Sequence, residues 1–217
     1  MILVPVKNLS KAKQRLAAVL DQASRTELAQ SMLFDVLEAL GTWKNRPEVG
    51  IVTNDPFALE LADHFRFEVI PDTRNISETD AIEMATQVCV ERSVKSTLVI
   101  PGDIPLLQAW ELDKVLELAP EEGTVLVPAG DGRGTNAAFR RPANLFPLRF
   151  GNDSFKPHRA AAAETGKPCV IVPLPGIAID IDNPSDLALL LTAPGNTRTQ
   201  RLLRDWDLSE LPLAANE

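Results

Sequence analysis

The chain has 217 residues, of which 45% are hydrophobic and 24% charged, and a formal net charge of −8 at pH 7. This length is sufficient for one domain whose core needs no disulfides. An acidic chain lacks the basic face that nucleic-acid phosphates require, and no apolar run reaches membrane-spanning length, so we expect no nucleic-acid or membrane partner. The strand-like start is too short for a signal peptide, and Cys89 and Cys169 stand in apolar contexts without metal-ligand spacing. These features predict buried thiols and a cytoplasmic protein.

The first half of the chain alternates between strand-like and helix-like segments. Ser24 is expected to cap the first long helix and Gly41 to end it, and Ser77 and Asp80 have the spacing of a capping box. A further strand runs into the sequence VIPGD, residues 99–103. The other predicted strands are 2–6, 48–54 and 67–71, and the predicted helices are 24–43, 56–65 and 77–94.

The second half is less regular. Asn183 and Pro184 have the residue types of a helix start, with Asp186 at the third helical position. Strands alternating with helices predict a single-domain α/β protein with a mostly parallel sheet and an antiparallel excursion among the later strands. Residues 192–217 are predicted to form a C-terminal helix and a tail. The predicted strands are 124–129, 135–141, 169–174 and 177–182, and the helices are 109–119, about 158–166 and 184–192.

Three acidic side chains follow or end predicted strands. Asp180 and Asp182 are two residues apart, so in a strand they share one face and repel each other unless a cation or a proton lies between them. Asp103 ends a different strand, and together the three carboxylates would suit Mg²⁺. Two structural alternatives remain open: Asp103 caps the helix that follows Pro105, or the pair at 180 and 182 faces solvent on an edge strand.

A basic run follows the first strand, at the sheet edge where ligands of parallel α/β proteins bind. Its members would neutralise a polyphosphate, although a solvated charge run is the alternative. They are Lys7, Lys11, Lys13 and Arg15.

Two glycine-containing loops have the composition of anion-binding turns. In GTN (134–136) and FGNDSF (150–155), backbone N–H groups would converge on an anion, and Thr135 and Ser154 would add hydroxyls. His158 either binds an anionic substrate or lies at a helix start with its polar atoms satisfied by nearby backbone. No arrangement typical of a serine or cysteine nucleophile is evident. The three acids, the basic run and the two glycine-containing loops together favour chemistry on phosphates.

Five motifs occur in an order that resembles a known family. They are VPVKNLSKAKQRL, PGDIPLL, DGRGTNAAF, RFGNDSFKPH and IDIDNPSDL, and they span residues 1–191. The chain resembles the 2-phospho-L-lactate guanylyltransferase family of deazaflavin coenzyme (F-420) biosynthesis. The resemblance implies a Rossmann-like nucleotidyltransferase fold over 1–191. It also implies transfer of GMP from GTP to the phosphate of a three-carbon acid, with release of pyrophosphate; the family's acceptors are 2-phospho-L-lactate, phosphoenolpyruvate and 3-phospho-D-glycerate.

We expect a monomer or homodimer. The same resemblance implies that the ligands are GTP, Mg²⁺ and a small phosphorylated acid, and it implies roles for individual residues. The metal ligands would be Asp103, Asp180 and Asp182, the acceptor ligands Thr135, Gly151 and Ser154, and the nucleotide ligands Lys7, Lys13, Arg15, Ser77 and Asp103, with Lys13 and Asp103 catalytic. A nucleotidyltransferase of the molybdenum-cofactor or sugar-phosphate type is the alternative. The loop before the third predicted helix reads Asn-Ile-Ser (75–77) where relatives often have Gly-Leu-Asn, which bears on recognition of the base.

Overall fold

Seven apolar segments pair into one sheet at the centre of the protein, whose computed structural model describes residues 1–74, 76–151 and 153–206. The strands are β1 (Ile2–Val6), β2 (Val49–Thr53), β3 (Glu68–Pro71), β4 (Thr97–Val99), β5 (Gly123–Pro128), β6 (Thr135–Arg141) and β7 (Cys169–Ile171). They lie in the order β3-β2-β1-β4-β6-β5-β7, and β6 runs antiparallel to both of its neighbours, whereas the other pairings are parallel. This arrangement confirms the predicted α/β class with a mostly parallel sheet.

Helices cover both faces of this sheet, because successive residues of a strand point to opposite sides. The helices are α1 (Gln22–Thr42), α2 (Pro56–Phe65), α3 (Glu78–Glu91), α4 (Ala109–Glu117), α5 (Phe155–Glu164), α6 (Pro184–Thr192) and α7 (Arg198–Asp205). Ile2 and Val4 of β1 belong to the core that includes residues of α1, α2, α4, α6 and α7, whereas Leu3 belongs to the one that includes α3 and α5.

The carboxyl ends of β1 and β4 and the amino end of β6 meet at one edge of the sheet. β1 and β4 are parallel, and β6 returns antiparallel with Ala138 beside Val99. The chain therefore leaves β1 at Lys7, leaves β4 toward Asp103 and enters β6 at Thr135 on the same side. Ligands of parallel α/β sheets bind beyond this edge.

The first long helix begins and ends at other residues than the sequence predicts. α1 starts at Gln22, and the carboxylate of Asp21 is the N-cap that accepts the Ser24 N–H at 2.8 Å. The prediction of Ser24 as the cap is therefore wrong. Gly41 lies inside α1 and does not end it; a Cβ there would lie 2.9 Å from the ring of Phe65, so the glycine makes room for that ring.

The segment 177–182, predicted as a strand, consists of a turn and a loop. Side chains and single backbone groups from several other segments satisfy its backbone in place of a neighbouring strand. The buried Glu111 carboxylate accepts the N–H of Gly176, which directly precedes the segment, at 2.7 Å, and the Asn136 side-chain amide donates to the Ile177 carbonyl at 2.9 Å. The prediction of a strand here is wrong, because these contacts replace a ladder of backbone hydrogen bonds.

Three features near β7 and α5 also differ from the sequence prediction. α5 begins at Phe155, one turn earlier than predicted, so His158 lies within its first turn. β7 ends at Ile171 and lies at an edge of the sheet, which leaves Cys169 exposed, whereas Cys89 is buried. The prediction of two buried thiols is therefore correct for Cys89 alone.

Two predicted helix starts are confirmed. The Ser77 hydroxyl accepts the Asp80 N–H at 3.1 Å at the start of α3, and Asn183 and Asp186 form a capping box at the start of α6.

The C-terminal helix α7 is packed against α1. The buried Asp35 carboxylate accepts the N–H groups of Arg198 and Thr199, both at 2.8 Å, and so caps α7 from the neighbouring helix. The rest of the predicted tail, 207–217, lies outside the described residues. Within the part of the chain that the structure describes, no helix is long and apolar enough to cross a membrane.

Candidate active site

Two cavities open beyond this edge of the sheet and share a wall. The first has a volume of about 600 Å³ and lies against the loop that follows β1. The second has a volume of about 420 Å³ and lies against the start of β6 and the loop before α5. The residues that line both cavities are Arg15, Glu78, Pro101, Asp103 and Asp182.

The ammonium group of Lys13 joins two of the predicted acids at this shared wall. Its Nζ donates to Asp103 Oδ2 at 2.6 Å and to Asp182 Oδ1 at 2.9 Å. Arg15 Nη1 donates to the other oxygen of Asp182 at 3.0 Å. The loop after β1, the turn after β4 and the loop before α6 are therefore held together by one cluster of opposite charges.

The backbone of Lys13 has a conformation that is unfavourable for a residue with a side chain. Its φ is +55°, in the left-handed region that a residue with a Cβ seldom adopts. Such a conformation persists where the surrounding contacts stabilise it, and such residues concentrate at functional sites. The side chain of Lys13 is 8% exposed, so solvent screens its ion pairs only weakly.

The charges of this cluster shift one another's pKa values. Burial alone would lower the pKa of Lys13, but Asp103 and Asp182 outweigh it and hold that pKa above its ordinary value. Burial would likewise raise the pKa of Asp182, but Lys13 and Arg15 hold it below the ordinary range. Both groups are therefore charged at neutral pH.

Asp180 lies in the same region but has a different partner. Its Oδ1 accepts from the Asn136 side-chain amide at 2.9 Å, and burial, with the charges of Asp103 and Asp182, raises its pKa. The prediction that Asp180 and Asp182 share one face of a strand is wrong, because no strand forms here. Among the described residues, no three Asp, Glu, His or Cys side chains are gathered as metal ligands, and Lys13 lies between two of the acids.

The two structural alternatives for the acids fail. α4 begins at Ala109 with Gln108 as its N-cap, so Asp103 is not the cap of that helix. Asp180 and Asp182 are held by side-chain partners and line the second cavity, so they are not solvent-facing residues of an edge strand.

Glu78 is a site residue that sequence reasoning missed. It lies in the first turn of α3, lines both cavities, and has a pKa raised to about 7 by burial and by the charge of Asp103. An acid in a first helical turn is ordinarily explained by the helix dipole, which hid this signal. Ser77 is not among the described residues that line either cavity, although Ile76 lines the first.

The second cavity contains the predicted acceptor residues. Thr135, Gly151 and Ser154 all line it, and the Thr135 N–H donates to Ser154 Oγ at 3.0 Å. Gly151 has a φ of +132°, which favours glycine, and a Cβ there would meet no neighbour.

His158 lies behind this cavity. It is 1% exposed; its Nδ1 lies 2.9 Å from Thr135 Oγ1, and its Nε2 accepts the Arg149 N–H at 2.8 Å. Backbone and hydroxyl groups thus satisfy both ring nitrogens of His158, as the second alternative predicted. Burial, with the charge of Arg140, lowers its pKa to about 4.

The rest of the basic run lines the first cavity. Lys7 pairs with the buried Asp72 carboxylate at 2.8 Å, and Lys11 lies along the same wall. The floor is apolar, formed by Ala29, Met32 and Leu33.

Solved structures identify the class of this fold. The crystal structure of a protein assigned as a nucleotide-diphospho-sugar transferase from Desulfovibrio desulfuricans has a TM-score of 0.79 at 19% identity, over 99% of this chain and 98% of that one. A nucleotidyl transferase from Methanothermobacter has a TM-score of 0.61 at 15% identity, over 94% of this chain and 97% of that one. The fold is that of the nucleotidyltransferases.

Sequence comparison then gives the family. The profile described as Guanylyl transferase CofC like matches residues 1–214. A phosphoenolpyruvate guanylyltransferase from Roseiflexus castenholzii is 37% identical over 204 residues, which are 94% of this chain and 93% of the relative. A 3-phospho-D-glycerate guanylyltransferase from Colwellia psychrerythraea is 31% identical over 94% of this chain and 97% of the relative. The chain belongs to this family of guanylyltransferases, as its motifs predict.

The buried, neutral imidazole of His158 predicts a loss of stability in mild acid. Below pH 6.5 the unfolded chain binds a proton at this residue, whereas the folded protein does so only near pH 4, so the free energy of unfolding falls across this window. Between pH 7 and pH 5 the loss from this residue should be roughly 2 kcal/mol. Urea unfolding at the two pH values measures it, with His158→Gln as the comparison. Equal losses in the wild type and the variant would contradict a buried neutral ring.

Proposed function

We propose that the protein transfers GMP from GTP to the phosphate of a three-carbon phospho-acid, such as phosphoenolpyruvate, 3-phospho-D-glycerate or 2-phospho-L-lactate. Pyrophosphate is the other product. The observation that carries the proposal is the shared wall of the two cavities, where Lys13, Asp103 and Asp182 meet. A site for two substrates that react with each other requires such a junction, and membership of the family supports the choice of GTP.

The first cavity is suited to the nucleotide. Its wall carries Lys7, Lys11, Lys13 and Arg15, whose positive charges would neutralise a triphosphate. Its apolar floor would accept the flat face of a base. In this arrangement the leaving pyrophosphate lies along the basic wall.

The second cavity is suited to the acceptor. It is lined by hydroxyl and backbone groups at Thr135, Gly151 and Ser154, which would hold a phosphate or a carboxylate through neutral hydrogen bonds. Asp103 and Asp182 at the shared wall would then lie between the acceptor phosphate and the α-phosphate of GTP.

The chemistry needs no general base. The nucleophile is a phosphate oxygen, which is mostly ionised at neutral pH because its second pKa is about 6. The residues of the site must instead bring two polyanions together and stabilise the charge that develops on the pyrophosphate. Lys13 at the junction is placed for both tasks.

The acids at the junction and beside it in the second cavity would suit a divalent ion such as Mg²⁺, although in the described structure the Lys13 ammonium lies between two of them. Asp103, Asp180 and Asp182 would hold it, since their carboxylate oxygens are the ligands that Mg²⁺ prefers. The contact of the Lys13 ammonium with two of these acids supports the view that a cation is accommodated here. When bound, the ion would neutralise phosphate charge.

The proposal places the reaction in deazaflavin coenzyme biosynthesis, in a reducing cytoplasm that suits two unpaired cysteines. Acceptors of the molybdenum-cofactor or sugar-phosphate type are the alternative, and the relatives do not favour them.

A panel of substrates tests the proposal. The protein is incubated with Mg²⁺, each of GTP, ATP, CTP and UTP, and each three-carbon phospho-acid or glucose 1-phosphate, while pyrophosphate and the nucleotidylated product are measured. We expect turnover with GTP and at least one three-carbon acid, and none in EDTA. Turnover with glucose 1-phosphate alone would contradict the acceptor class, and full turnover in EDTA would contradict the metal site.

Asp103→Asn should lower kcat by about a hundredfold or more, because the site loses a carboxylate that would hold the divalent ion, and this ion would stabilise the charge that develops on the phosphates. We expect the midpoint of thermal unfolding to change little, since Asp182 still pairs with Lys13. Asp63→Asn, an exposed acid on α2, is the matched control and should leave both quantities unchanged. A variant at 103 with wild-type turnover would contradict the assignment.

A further inference from the structure

Two hydroxyl groups of the second cavity are each engaged as hydrogen-bond acceptors. Thr135 begins β6 and Ser154 directly precedes α5, and both side chains are buried beside the cavity. Ser154 Oγ accepts the N–H of Thr135 at 3.0 Å, and Thr135 Oγ1 contacts His158 Nδ1 at 2.9 Å. The orientation of the Thr135 hydroxyl therefore depends on which ring nitrogen of His158 carries the hydrogen.

The second nitrogen of the ring settles that question. The Arg149 backbone N–H can only donate, and it lies 2.8 Å from Nε2, so Nε2 must present its lone pair. A neutral imidazole then carries its hydrogen on Nδ1 and donates it to Thr135 Oγ1. A protonated ring would direct its Nε2–H at the Arg149 N–H, which can only donate. The lowered pKa of His158, about 4, agrees with a neutral ring at pH 7.

The hydrogen bonds therefore run in one direction. The Arg149 N–H donates to His158, His158 donates to the Thr135 hydroxyl, and the Thr135 N–H donates to the Ser154 hydroxyl. Each hydroxyl already accepts a hydrogen bond, and neither has an acceptor for its own hydrogen among residues 1–74, 76–151 and 153–206. Both hydrogens are thus available to a ligand in the cavity. The Phe150 ring, whose centroid lies 5.2 Å from that of the imidazole at an interplanar angle of 66°, helps to hold the imidazole in this orientation.

We propose that His158 is a positioning residue that makes Thr135 a hydrogen-bond donor to the anionic group of the acceptor. The identification of that anion as the phosphate or carboxylate of a phospho-acid rests on the proposed function. With its hydrogen turned toward the ring instead, the Thr135 hydroxyl would present a lone pair to an anion and repel it. His158 thus acts on acceptor binding without touching the acceptor.

A purely structural role for His158 makes different predictions. In that case the residue only fills space beneath α5, and any substitution that preserves packing would leave the kinetics with the acceptor unchanged. The two roles are separated by variants that retain one of the two hydrogen bonds. The amide of asparagine reaches the position of Nδ1 and can still donate to Thr135, whereas the amide of glutamine reaches the position of Nε2 and serves only Arg149.

The tautomer can be measured directly. The sequence has two histidines, so His64→Asn leaves His158 as the only imidazole, and ¹⁵N chemical shifts of that variant at pH 7 report which nitrogen carries the hydrogen. We expect hydrogen on Nδ1 and none on Nε2. Hydrogen on Nε2, or an averaged signal of the two tautomers, would overturn the proposal.

The kinetic test compares His158→Gln and His158→Asn with the wild type and with His64→Asn, the control at an exposed histidine on α2. Initial rates are measured below the lowest unfolding midpoint of the four proteins. For His158→Gln we expect the KM of the acceptor to rise on the order of tenfold, as for a lost hydrogen bond to a charged group, with the KM of GTP unchanged. His158→Asn should retain an acceptor KM within about threefold of the wild type.

The outcomes distinguish this proposal from the proposed function. Equal acceptor KM values in the Gln and Asn variants, or a GTP KM that rises as much as the acceptor KM, would overturn the role of His158 while the reaction stands. If the wild type uses no phospho-acid, the proposed function fails. Calorimetric titration of the wild type and His158→Gln with inorganic phosphate then decides the role of His158, which predicts weaker binding by the variant; equal binding would overturn it.

Discussion

The contact of one lysine with two acids is the interaction on which the rest of the site depends. Lys13 pairs with Asp103, 90 residues away along the chain, and with Asp182, 169 residues away. Without a cation between them, two carboxylates at the same wall would repel each other and separate the loops that carry them. The ion pairs therefore fix both the position of these loops and the junction between the two cavities.

Several contacts behind this wall keep its parts in place before any ligand binds. Asn136 holds Asp180, Glu111 holds the turn at Gly176, and His158 holds the hydroxyl of Thr135. Groups that are already oriented need no reorganisation when charge develops on the phosphates, which is the main source of electrostatic catalysis. The same side of the sheet thus supplies a basic wall for the proposed nucleotide site, neutral donors for the proposed acceptor site and acids between them.

The sequence indicates which residues gather at this edge but not how they pair. Lys13 and Asp103 follow strands whose apolar composition is typical of a buried parallel sheet, so their position on the same side of that sheet could be predicted. The contact of Lys13 with Asp182 depends on the path of two long loops, which no periodicity encodes. Glu78 was missed because an acid in a first helical turn has a local explanation, and the role of His158 was open because its partners come from other segments of the chain.

We propose that the acceptor in one cavity attacks the nucleotide in the other directly across their shared wall. The stereochemical course at the α-phosphorus tests this claim, using a single diastereomer of GTP that carries sulfur on the α-phosphate and ³¹P NMR of the product. Direct attack opposite the leaving pyrophosphate predicts inversion of configuration. Retention would mean that GMP is first bound covalently to the enzyme, and would contradict direct attack by the acceptor.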